Sequence, residues 1–376
     1  MKNYRNDFPI LTTKTMLSSC SQSAMSSQVL HAFKEYENSL LVSGMDWNEW
    51  MRVTNLAKEK FATLINCDPS EIAILGSVSD CISSVLNALP LSGREVVTTS
   101  MDFPCIGQSI LAQQKKKSFE LKFIPNQDYI IPIESYEKYV TDNTALTCIP
   151  HVSFYNGFKQ DLRAVSEIVH RKGSLLFVDA YQSAGAVSID VKKDNIDILV
   201  AGMQKYLLGV PGIAFMYIRK DLAESLEPST IGWFGQKDIF GFHYDLLEYA
   251  DSAQRFNTGT PPVINAYIAN AALEYILNVG VEAIEAHLTE LSEFTFQEAI
   301  KRNLQLYSPT SASDRGSATA IYCKDANRME QLLRNENLIL SARKDCIRLA
   351  PHFYNTKGDI IKALDAIVKH LPETLA

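Results

Sequence analysis

Lys205 stands in "DILVAGMQKYLLGVPGIAF", in a short polar turn between two apolar runs, and a lysine there can do carbonyl chemistry. Burial disfavours an ammonium, lowers its pKa and frees the amine to attack an aldehyde. The competing role is a packed stem with the ammonium in solvent. Asp179 lies 26 residues earlier in "LLFVDAYQSAG", at the end of an apolar run. Open α/β sheets place ligands at the carboxyl ends of their strands, and a carboxylate there suits a protonated ring nitrogen. Capping the next turn is the commoner role of an isolated Asp. In "ILGSVSDCISSVLNAL" the small residues Gly76, Ser77 and Ser79 precede a helix, which makes an anion site or an ordinary N-cap. With neither Gly-x-Gly-x-x-Gly nor a Walker lysine, that turn does not indicate a nucleotide. Arg348, inside "CIRLAPHFYNT", requires either a bound carboxylate or a structural ion pair.

Elements able to hold these residues alternate from about residue 71 to 218. The strand candidates are "EIAILG", "EVVTTS", "LKFIP", "ALTCIPHVSF", "SLLFVDA", "DILVAG" and "IAFMYI". Several are apolar throughout, the pattern of a parallel sheet covered on both faces. Helical stretches such as "DCISSVLNAL" and "LRAVSEIVHRKG" fall between them, the second stopped by Gly173. This predicts an α/β fold with a mostly parallel seven-stranded sheet. The link "MQKYLLGVPG" is too short for a parallel crossover, so the last pairing is predicted antiparallel. "SQVLHAFKEYENSLL" and "WNEWMRVTNLAKEKFATLI" read as helices ahead of this core. "DSAQRFNTGTPP" reads as a loop, followed by a long helical region and a β-and-α tail. The reading is a large domain over residues 15–255, a smaller C-terminal α+β domain over 256–376, and an N-terminal arm, 1–14.

The chain has 376 residues, enough for one large domain and a smaller one. A net charge of -7 argues against a general nucleic-acid binder. No apolar run is long enough to span a bilayer, and "MKNYRNDFPILTTKTML" lacks a signal-peptide core, so a cytoplasmic protein is expected. The 7 cysteines are scattered without a Cys-x-x-Cys pair, and no His-Glu-x-x-His occurs. Reduced thiols and no metal site are expected.

Taken together, from "LSSCSQSAMS" to "CIRLAPHFYNTKGDI", these segments resemble the class V aminotransferases, pyridoxal phosphate enzymes that include cysteine desulfurases, kynureninases and isopenicillin N epimerase. The resemblance implies fold type I, pyridoxal 5'-phosphate, and a homodimer with an active site shared between subunits. It matches Lys205 to the lysine that holds the cofactor as a Schiff base, Asp179 to the aspartate on the pyridine nitrogen, and Gln182 to the glutamine on the ring hydroxyl. Val78 and Ser79 fall at the phosphate turn, Phe103 at the aromatic that stacks on the ring, and Thr260 at a residue reaching the partner subunit's phosphate. Arg348 matches the arginine for the substrate carboxylate.

Three departures narrow the reaction. "GMQK" replaces the common Ser-x-His-Lys, so Gln204 takes part of the phosphate role. Phe154 stands where many members have asparagine. Cys346 lies two residues before Arg348, not on a long loop like a desulfurase nucleophile, and reads as structural. Tyr155, Trp233, Phe234, Gln236 and His352 are the pocket candidates. An aminotransferase acting on an amino-acid-like substrate is the first expectation. A Cβ-bond lyase or hydrolase comes second, then an epimerase or desulfurase, and last a non-catalytic binding protein. Arg343 is a second candidate for a substrate anion.

Overall fold

The computed structural model describes residues 2–374. Its strands are β1 (Thr15–Met16), β2 (Ile72–Leu75), β3 (Glu95–Thr99), β4 (Glu120–Ile124), β5 (Thr144–Pro150), β6 (Leu175–Asp179), β7 (Ile198–Gly202), β8 (Ala214–Ile218), β9 (Thr319–Tyr322), β10 (Leu338–Ile339), β11 (Ser341–Arg343) and β12 (Cys346–Leu349). Seven of them form the main sheet in the order β2-β8-β7-β6-β5-β3-β4. β7, β6, β5, β3 and β4 run parallel, and β8 is antiparallel to both of its neighbours. The reversal follows from the short link between β7 and β8, which leaves no room for a crossover.

Side chains alternate across the sheet and feed two separate cores. Val97, Ile149, Val178, Leu199 and Phe215 pack on one face, against helices Trp47–Ile65, Leu162–Arg171 and Val263–Val279. Val96, Cys148, Phe177, Val200 and Met216 pack on the other, under helices Val78–Ala88 and Pro104–Gln114. Burial on both faces explains why β7 and β8 read as continuous apolar runs. This is the doubly covered α/β architecture expected from the sequence.

β11, β12 and β9 make a separate antiparallel sheet. Helix Lys357–His370 follows it and starts from a capping box of Thr356 and Asp359. The N-terminal segment joins this part of the chain: β1 pairs in parallel with β10, and the Ser19 N–H donates to the Ala350 carbonyl (3.0 Å). Arg5 makes an ion pair with Asp359 (2.8 Å). These contacts carry residues 17–24 across to the carboxyl edge of the main sheet. No helix among the described residues is long and apolar enough to cross a membrane.

Candidate active site

A cavity of 360 Å³ opens at the carboxyl ends of β5 and β6 and beside the turn after β7. Its lining includes Asp179, Gln182, Gln204, Lys205, Val78, Ser79 and Phe103, so the structure gathers seven of the residues singled out in the sequence. Phe154 and Arg343 line it too. Ser21, Cys105 and Tyr181 are lining residues that the sequence reading passed over.

Lys205 is held by a tight turn. The Leu208 N–H donates to the Lys205 carbonyl (3.1 Å), and the Gly209 N–H to the Met203 carbonyl (2.8 Å). Leu208 takes a positive φ of 61° to close it. The Lys205 side chain keeps some surface toward the cavity while protein surrounds it on almost every side. Its Nζ lies 4.1 Å from the centroid of the Tyr181 ring and 5.4 Å from that of Phe103. Desolvation is the largest influence on the amine and lowers its pKa to about 8; Asp179 pulls it back up, and Arg348 and Arg343 push it further down. Near neutral pH a useful fraction is therefore the nucleophilic free amine. Gly202 permits this arrangement, since a Cβ there would lie 2.3 Å from the Tyr181 ring.

Asp179 ends β6 with its side chain buried. Its Oδ1 accepts from the Tyr181 N–H (2.9 Å), and no ion pair to it forms among the described residues. Burial raises its pKa, offset in part by the Tyr181 N–H and Lys205. A buried carboxylate that faces a cavity with no ion pair, and only the more distant Lys205 to offset it, favours a cationic group entering beside it. At another wall the helix Val78–Ala88 begins. Ser77 caps it by accepting from the Asp80 N–H (3.2 Å), leaving the Val78 and Ser79 N–H groups without intrahelical acceptors. Gln182 is buried and donates to the Cys20 carbonyl (3.0 Å); Gln204 donates to the Ser21 carbonyl (3.3 Å). Phe103 is partly open, its ring edge-on to Phe154 at 5.0 Å. A buried carboxylate with no ion pair, a helix start with free N–H groups, a part-exposed ring and a depressed amine in one cavity suit pyridoxal phosphate. Its ring nitrogen, phosphate, ring face and carbonyl would each find a fitting group here.

Other predicted residues lie outside the cavity lining. Arg348 is fully buried, and its guanidinium donates to the carbonyls of Phe154 (2.6 Å) and Ser341 (3.4 Å) and to the hydroxyls of Ser341 (2.9 Å) and Ser21 (3.1 Å). The Tyr155 hydroxyl donates to Asp345 (2.7 Å). Trp233 packs against Trp47 and Phe234, and its indole N–H donates to the Ile239 carbonyl. Gln236 pins the loop it sits on, donating to the Leu246 carbonyl (2.6 Å). His352 is buried, donates from Nε2 to the Tyr206 carbonyl (3.0 Å), and has its pKa lowered by burial to about 4. Thr260 lies exposed on the loop before helix Val263–Val279.

Cys346 begins β12, fully buried, with its thiol directed at the Arg343 carbonyl (3.2 Å). Burial pushes the thiol up to about 12. Nucleophilic cysteines are exposed and low in pKa, and this one is neither. Among the described residues no group of three or more His, Cys, Asp or Glu is placed to hold a metal ion.

The model of the family described as Aminotransferase class-V matches residues 16–363. The chain is 44% identical over 367 residues to the uncharacterized aminotransferase YcbU of Bacillus subtilis (strain 168), covering 97% of each protein. It is 26% identical to a kynureninase of Deinococcus radiodurans, covering 86% of this chain and 80% of that one. Among solved structures, the apo cysteine desulfurase of Thermococcus onnurineus NA1 superposes with a TM-score of 0.90 over 99% of both chains at 20% identity, a likeness of fold. The cavity, the sheet that builds it and these similarities converge: the chain belongs to the class V aminotransferases, a family of pyridoxal phosphate enzymes of fold type I.

Proposed function

We propose that this enzyme transfers the amino group of an α-amino acid, with Lys205 as its catalytic residue. The observation that carries the reading is the Lys205 amine, depressed to about 8, beside Asp179 in a cavity that holds no reactive thiolate. Among the described residues, the one cysteine lining that cavity, Cys105, is pushed up to about 11 by burial. Bound there, pyridoxal phosphate supplies a carbonyl for the substrate amine and a sink for electrons released at Cα.

The protein's own groups do the rest. Lys205 holds the cofactor and, once released, moves the Cα proton. Asp179 keeps a proton on the ring nitrogen. Gln182 orients the ring oxygen and Phe103 covers one ring face. Val78 and Ser79 at the helix start, with Gln204, hold the phosphate. Arg348 takes the α-carboxylate; two of its four partners are the hydroxyls of Ser21 and Ser341, which also bond each other (2.6 Å) and give way as an anion enters. We place Tyr155 and Trp233 around the substrate entrance. The division at about residue 255 makes two lobes about this site. A homodimer completes it, with Thr260 reaching the second subunit's phosphate. Exposed Phe240, Phe242 and Tyr244, the last 97% exposed, give the neighbouring segment an apolar surface for that partner.

The kynureninase relative supports a second reading, cleavage of a Cβ bond. Amino acids added without a keto acid separate the two. Transamination is expected to bleach the loaded enzyme's visible absorbance permanently, with one equivalent of keto acid released. Recovery of absorbance while product accumulates beyond one equivalent identifies the lyase or hydrolase.

A further inference from the structure

Arg343 and Arg348 lie on the two strands of one hairpin. In its register Ser341 faces Arg348 and Arg343 faces Cys346. Residues two apart on a strand share a face, so Arg343 stands on the same face as Arg348, as its diagonal neighbour. Arg348 is satisfied by neutral oxygens alone. Arg343 reaches the cavity, and the hydrogen bond from its guanidinium goes to the adjacent Ala342 carbonyl (3.0 Å).

Neither arginine has an ion-pair partner among the described residues, because the nearby acids are engaged elsewhere. Asp345 accepts from the hydroxyls of Tyr155 (2.7 Å) and Tyr307 (3.0 Å). Glu330 accepts from the Ala342 N–H (2.7 Å) and pairs with Arg334 (3.3 Å). The tyrosine contacts also fix the hairpin turn, so Arg343 is presented to the cavity from a braced position. Two unneutralised cations on one face repel each other, and a ligand with two anionic groups relieves both.

We propose that Arg343 binds the side-chain acid of a substrate whose α-carboxylate lies on Arg348, so the site takes amino acids with an anionic side chain. The proposal rests on the amino-acid reading above, and its test separates the two. Succinate and butyrate, of equal chain length, serve as unreactive probes of the cofactor-loaded enzyme by calorimetry. The kcat/KM ratio of aspartate or glutamate to alanine is then measured for the wild type, Arg343→Lys and Arg343→Gln.

Succinate is expected to bind about 10-fold or more tightly than butyrate, from one charge-assisted contact. Arg343→Gln is expected to erase that preference and to lower the acidic-to-neutral ratio by about 10-fold or more, and Arg343→Lys to retain part of both. Equal binding of the two probes, or equal weakening of both by Arg343→Gln, overturns the proposal. If no amino acid is turned over but the succinate preference depends on Arg343, the transaminase reading fails and the anion site stands. If neutral amino acids are turned over as well as acidic ones, the anion site fails and the transaminase reading stands. Should Arg343→Gln not fold, the wild-type probe comparison and Arg343→Lys decide.

Discussion

Lys205→Ala is expected to lower kcat by at least about 10³-fold while the protein still binds pyridoxal phosphate. On the proposed reading, turnover falls because the same amine both holds the cofactor and moves the proton at Cα. Binding survives because Asp179, Gln182 and the helix start at Val78 and Ser79 remain in the cavity. Steady-state rates and equilibrium dialysis of the cofactor measure the two effects separately. A small exogenous amine is expected to restore part of the rate, since it can enter a site from which only an amine has been removed. Unchanged turnover in this variant would exclude Lys205 from the chemistry.

Asp179→Asn removes the carboxylate and keeps the shape. If Asp179 holds the ring nitrogen as proposed, losing its buried charge is expected to cost about 10²- to 10³-fold in kcat. The direction of a second effect follows from the same geometry. Asp179 is the strongest influence raising the Lys205 pKa against desolvation, so its loss moves that pKa below about 8. Cofactor capture by the apoprotein therefore rises with pH through about 8 in the wild type and at lower pH in the variant. A third effect concerns stability. Burial raises the Asp179 pKa in the folded state, so its ionised form opposes folding as pH rises above the usual carboxylate range. The apo variant is expected to melt no lower than the wild type at neutral pH, although it is much the poorer enzyme. A lower melting temperature together with an unmoved capture profile would mean that Asp179 serves structure and not the cofactor.

The scaffold was legible because its strands are buried on both faces, which leaves runs such as "SLLFVDA" and "DILVAG" almost wholly apolar. The antiparallel β8 was legible for a different reason, the length of one link. Local patterns placed Asp179 at a strand end and Lys205 in the turn between two strands, and the sheet brings both to one cavity. Ser21 carried no such signal. It arrives through the pairing of β1 with β10, between Thr15 and Leu338, a contact that no local pattern encodes. Tyr181 lies within "VDAYQSAG", yet its place beside Lys205 depends on the missing Cβ of Gly202, on another strand. Arg348 looked like an arginine in need of an anion. Its neutral partners come from three separate segments, at Ser21, Phe154 and Ser341, and a sequence pattern cannot assemble them. Thr260 and Trp233 are not among the residues that line the cavity of their own chain.

The central claim is that Lys205 holds the cofactor covalently. Borohydride reduction of the loaded enzyme, followed by proteolysis and mass spectrometry, tests it most directly. The account predicts a single phosphopyridoxyl-modified peptide, with the modification on Lys205 of "MQKYLLG". Modification of a different lysine, or none after saturation with pyridoxal phosphate, would contradict it.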